Sequence, residues 1–174
     1  LSALPGGADM YAYWVRYWTT TNRAPEEIHA IGLAEVARIR GQMEQVQAQV
    51  GFKGSLFEFL DFVATDPQFA PFQTEEDVLN AYRQVEARLK PALPKFFGRI
   101  PRTPFEIRPT EKFRAASASA EYQPAAADGS RPGVFYVPIV DPKLIRNTDL
   151  EDLFLHEAIP GHHFQISITL ERTD

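Results

Sequence analysis

Proline placement constrains the fold of this chain more than any other feature. Ten of its 14 prolines lie between Pro91 and Pro160, and only four precede them. An interior proline removes a helical N–H and clashes with the preceding turn, so long helices belong to the first half. Periodicity agrees with that division. Pro25 stands where a first helical residue fits, with Glu26 and Glu27 beside the positive helix end. Ile28, Gly32, Val36, Ile39, Met43, Val46 and Val50 then recur at three- and four-residue steps. They mark one face of a helix of about seven turns, closed by Gly51. Asp9 is expected to cap an earlier helix carrying Tyr11, Trp14, Val15 and Trp18, ended by Thr19, Thr20 and Thr21. Ser55 and Glu58 have the spacing of a capping box ahead of Leu56, Phe57, Phe59 and Leu60. Thr74 opens a further helix with Val78, Leu79, Tyr82, Val85 and Leu89 inward, stopped by Pro91.

The second half changes period. Phe105 and Ile107 alternate with Glu106 and Arg108, as in a short strand. Residues 134–140 (VFYVPIV) form a β-rich run that Pro138 confines to a sheet edge or to the strand's end. The DGSRPG stretch before it is strong turn chemistry, and the Ala/Ser alternation of 115–120 reads as an exposed loop or a weak strand. The expected class is α+β, mainly α with a small antiparallel or mixed sheet. It divides into 1–98 helical, 99–147 small sheet and loops, and 148–174 a motif helix that Thr148 and Glu151 are spaced to open as a capping box.

Charge and composition remove several functions. Lys and Arg number 18 against 23 Asp and Glu, a net charge of −5. That balance argues against a nucleic-acid surface and against adhesion to anionic lipid. No apolar run approaches the roughly 18 residues needed to span a bilayer. The absence of cysteine removes disulfides, thiolate zinc sites and thiol nucleophiles together. A soluble chain of this kind suits cytoplasm or periplasm alike, so its compartment stays open. The chain opens at Leu1 rather than Met and ends at Asp174 without a Gly or Pro stop signal. It is expected to be one segment of a larger domain, cut at both ends.

Three of the four histidines fall within eight residues, in His156-Glu157-Ala158-Ile159-Pro160-Gly161-His162-His163. The zinc-protease pattern H-E-x-x-H sets two imidazoles about 40° apart around a helix and one turn apart along it. Its Glu then acts as general base toward the attacking water. Here Pro160 occupies the place of the second His. His163 is only about 20° off in azimuth but about 10 Å away along a straight helix. Two nitrogens on one tetrahedral zinc sit about 3.3 Å apart, so a straight helix fails with either His162 or His163. Pro160 and Gly161 suit a local bulge that absorbs two residues and brings His162 to the ligand position. The expected roles are His156 and His162 as zinc ligands, His163 as the alternate, and Glu157 as the catalytic base. Against this stands a plainer reading, in which Pro160 and Gly161 end the helix and the histidines cap its carbonyls. His29, beside Ile28 on the long helix, reads as structural.

Weaker candidates lie upstream. Arg131, in the tight turn, can grip a peptide carboxylate with both arms of its guanidinium. Tyr122 and Tyr136 can donate to a tetrahedral intermediate. No P-loop, no GxGxxG after a strand and no GxSxG is present.

LHEAIPGHHFQ resembles the HExxPGHH signature of the bacterial family called domain of unknown function 885. LSALPGG, RYWTTT, EEIHAIGLAEVARIR and DGSRPGVFYV resemble stretches of that family in the same order. The resemblance implies a helical zinc metallopeptidase architecture of the zincin type, here incomplete. It implies zinc as cofactor, an extended peptide as substrate, and a Glu from a separate helix as third ligand. Catalytic zinc normally takes three protein ligands. Glu171 would stand about 13 Å along the axis from His162 on a continuous helix. The third ligand is therefore expected from the remainder of the parent polypeptide, packed against this segment, and the isolated chain is expected to be inactive. The rival is a non-catalytic binding or scaffold domain with a degenerate or structural metal site.

Overall fold

Gly6 sets the entry to the first helix. Its φ of 68° is the left-handed backbone that glycine adopts at low cost, and α1 runs directly after it, Gly7–Thr19. The helix therefore starts before Asp9, which sits in the first turn rather than at the cap. An aspartate there is stabilised by the positive helix end without a capping hydrogen bond, so the residue type alone does not fix the boundary. The computed structural model describes residues 3–172. They fall into two compact units, Leu1–Phe62 and Val63–Asp174.

In the first unit α1 is followed by α2 (Pro25–Gln49) and by most of α3 (Leu56–Thr65). Glu27 accepts the Ala24 N–H at 2.7 Å, and Gly51, with φ 73°, ends the long helix. The capping box of α3 forms: Glu58 accepts from the Ser55 N–H at 2.7 Å and Ser55 Oγ accepts from the Glu58 N–H at 3.2 Å. The Phe52 ring lies 5.3 Å from Phe59 and 5.3 Å from Phe62. The apolar face of α2 stays exposed at Val36, Ile39, Met43 and Val46, as does Val50 just past its end.

The second unit holds α4 (Glu75–Leu89), a sheet, and α5 (Leu150–Glu157) with α6 (His162–Leu170). Thr74 caps α4 as its spacing predicts, accepting from the Asp77 N–H at 3.1 Å while Asp77 accepts from the Thr74 N–H at 2.8 Å. Beyond it, Pro91 and Pro94 fall in a 3-10 segment, Lys90–Lys95. The strands are β1 (Phe105–Pro109), β2 (Glu121–Gln123) and β3 (Gly133–Val137), in the order β1-β3-β2. β1 runs parallel to β3 and β2 antiparallel to it, so the sheet is mixed. β3 is central and ends one residue before Pro138, the second of the two places that proline allows. Residues 115–120 contain no strand; β2 follows them.

Strand alternation puts Phe105, Ile107 and Phe135 on one sheet face. Tyr82 of α4 meets Phe135 edge to face at 5.2 Å, and Phe154 of α5 lies 6.3 Å from the same ring. Val78, Tyr82, Phe135 and Phe154 are almost wholly buried, so this layer is the core and α5 is pinned to it. The chain is thus mainly helical with a small mixed sheet. Among the described residues no helix is long and apolar enough to cross a membrane.

A candidate metal centre at a helix break

The motif does not occupy one helix. Thr148 donates its hydroxyl to Asp149 at 3.1 Å and Glu151 is drawn to Arg88 at 2.7 Å, so no capping box forms and α5 begins at Leu150. It ends at Glu157, and α6 starts afresh at His162. Between them the Ile159–Pro160 peptide is cis. The Phe164 N–H donates to the Ala158 carbonyl at 3.2 Å, reaching back six residues where a regular helix reaches four. The break therefore takes up two extra residues, the number the sequence requires, by a stop and restart rather than by a bulge. Gly161 makes it possible. A Cβ there would overlap the carbonyl oxygens of His156 and Leu155, so the chain is folded onto the end of α5 at a place only glycine fits.

Folding back gathers three side chains. Ligand atoms of His156, Glu157 and His162 all lie within 4.8 Å of one another. The two imidazole rings are 4.8 Å apart, nearly perpendicular at 85°. Both histidines are exposed, whereas the Glu157 side chain is only 10% exposed and its Oε1 stands 4.0 Å from His156 Nε2. Among the described residues no hydrogen bond reaches that carboxylate. A largely buried carboxylate is costly unless a cation or donor meets it. Two imidazoles and a carboxylate are also a donor set that suits zinc and its first-row neighbours. The residues present fit a divalent cation.

His163 faces elsewhere. It is 2% exposed, its ring packs 4.4 Å from Phe105, and its Nδ1 meets the Tyr122 hydroxyl at 2.9 Å and Ser167 Oγ at 3.3 Å. Burial pushes its pKa down to about 4, which leaves a neutral ring at physiological pH. Consecutive helical residues point about 100° apart, so the same turn sends His162 outward and uses His163 to hold α6 against the sheet.

The remaining candidates have other partners. Tyr122 spends its hydroxyl on His163, and burial raises its pKa. Tyr136 lies on the sheet face opposite Phe135, under the Arg114 guanidinium at 5.2 Å. Arg131 donates to the carbonyls of Pro124 and Pro132 at 2.7 and 3.2 Å. Glu171, past the end of α6, accepts from the N–H groups of Arg102 and Thr103 at 2.7 and 2.8 Å and from the Thr103 hydroxyl at 2.8 Å. Burial alone would raise its pKa, but these hydrogen bonds carry it below the ordinary glutamate value. Sequence reasoning did not single out Ser167, Phe105 or the anchoring role of Glu171. Only the four-residue step from His163 to Ser167 was visible in advance.

Fold and site together define an α+β chain with a His–Glu–His cluster at a helix break. The chain belongs to the family described as "Bacterial protein of unknown function (DUF885)", which matches residues 2–174. It is similar to a solved structure described as "the putative lipoprotein from Colwellia psychrerythraea", at 29% identity and a TM-score of 0.85. The similarity covers 97% of this chain and 30% of that one, so the chain spans less than a third of its structural relative. No functionally curated protein matches it.

Proposed function

We propose that this chain carries the metal-binding core of a zinc-dependent hydrolase that cleaves extended peptides. The observation behind the proposal is the His156–Glu157–His162 cluster, in which a nearly buried carboxylate, without a hydrogen-bond donor among the described residues, lies beside two exposed imidazoles. His156 and His162 would hold zinc through neutral imidazoles. With Glu157 kept as the base a third ligand is still needed, and the resemblance noted above implies a Glu from elsewhere in the longer protein. Zinc held there supplies a Lewis acid that lowers the pKa of water to about 7.

Glu157 does the proton work. Its carboxylate takes a proton from the attacking water and later delivers it to the amine nitrogen that leaves. It sits at the end of α5 with its side chain only 10% exposed, which limits the positions it can take. In the longer protein that carries residues 1–174, cleavage of unstructured peptides is expected to stop on chelation and to return with added zinc. Bound zinc without turnover of a broad peptide library would overturn the enzyme reading in favour of a binding or scaffold role.

A further inference from the structure

A cleft of about 490 Å³ opens among the 125–132 turn, residues 102–106 and the end of α6. Apolar side chains, the small Ala125, Ala126 and Pro132 together with Leu170, line much of it. Arg102, Thr103, Glu106 and Glu171 also line it, as does Arg131. Its Nη2 donates to the Pro124 carbonyl at 2.7 Å, and its Nη1 to the Pro132 carbonyl at 3.2 Å and to Gln123 Oε1 at 3.5 Å. All three partners are neutral, and no carboxylate pairs with Arg131 among the described residues. A guanidinium has five N–H donors, so it is fixed in place with donors to spare and its charge unanswered.

The acidic groups on the same walls are already engaged. Glu106 accepts from Arg108 Nε at 2.6 Å. Glu171 is satisfied by Arg102 and Thr103, and Arg102 itself is a largely exposed cation at the rim, 85% accessible. Neither carboxylate meets Arg131. The cleft is also joined to the metal centre through one strand. β2 presents Tyr122 to His163, the neighbour of His162, and its next residues, Gln123 and Pro124, hold Arg131.

We infer that this cleft is a substrate subsite for a carboxylate, which Arg131 grips while small side chains of the substrate lie on the apolar walls. A planar guanidinium held by backbone carbonyls matches a carboxylate with two parallel hydrogen bonds, and lysine does not reproduce that fork. This inference names a substrate feature of the proposed peptide hydrolase and rests on that reading for its biological meaning. The carboxylate is a peptide's own C-terminus or an acidic side chain.

Binding rather than turnover tests it, so its failure is separate from failure of the hydrolase reading. The probes are N-acetylated tetra-alanine as free acid, the same peptide as C-terminal amide, and an amide with one interior alanine replaced by glutamate. Calorimetric titration of the full chain is expected to show the free acid or the glutamate peptide binding at least about tenfold tighter than the plain amide. Whichever is tighter identifies the source of the carboxylate. Arg131→Gln is expected to abolish the difference, and Arg131→Lys to keep only part of it. Equal binding of all three peptides to the unaltered chain, or a preference that survives Arg131→Gln, overturns the inference; the first comparison needs no variant to fold.

Discussion

Glu157→Gln is expected to lower peptide hydrolysis by the longer protein roughly 10²-fold or more while leaving zinc content unchanged. The amide keeps the size of the carboxylate, so packing at the end of α5 is preserved and only the proton acceptor is lost. Zinc analysis run beside the rate measurement separates the two effects. Full activity in this variant would remove Glu157 from the mechanism. Loss of both zinc and activity would make it a ligand rather than a base. The adjacent exposed imidazole of His156 has the converse expectation, since its nitrogen is assigned to the metal.

Gly161→Ala is expected to damage the site without touching any group that binds or reacts. An added Cβ meets the carbonyls of His156 and Leu155, which are backbone and cannot rotate away. The restart of α6 must shift, and His162 shifts with it. Overpacking of this kind costs about 1–3 kcal/mol, and displacing a ligand's support typically costs 10- to 100-fold in metal affinity. Gly98→Ala is the control, because a Cβ there meets nothing within 4 Å and its φ lies outside the positive range. Urea denaturation and zinc titration of the two variants should therefore diverge. Similar behaviour would mean that the close approach at Gly161 does not hold the break together.

How much of this was legible in the sequence depended on whether local chemistry decided the outcome. The helices at Pro25, Ser55 and Thr74 carry their own caps and periodicity, and each forms where those signals stand. Pro138 offered two places for the strand before it, and the sheet takes the one that leaves β3 central. Asp9 and Thr148 failed as caps for different reasons. An acidic residue is equally at home in a first turn, as at Asp9, and Thr148 had a competing partner in Asp149. β2 is three residues long, too short for alternation to register against its surroundings.

At the site, Pro160 and Gly161 announced that the helix had to be broken, and the two-residue surplus was countable. The form of the break was not. It depends on Gly161 lying against carbonyls of the preceding turn, which no spacing rule describes. The same count favoured His162 over His163, but the physical cause of that choice was not visible. His162 and His163 are chemically identical in sequence, and what separates them is Phe105 and Tyr122, brought in by the sheet. The exposed face of α2 makes the same point in reverse. Its three–four periodicity correctly marks a helix but says nothing about what covers it.

His156 and His162 are proposed to hold one metal ion together across the break. Calorimetric titration of zinc into the full chain, with His156→Ala and His162→Ala beside it, tests this most directly. One site per chain is predicted, of the micromolar or weaker affinity that two imidazoles without the proposed third ligand would give, and lost in both variants. Binding unchanged by either substitution, or no binding at all, would contradict the account.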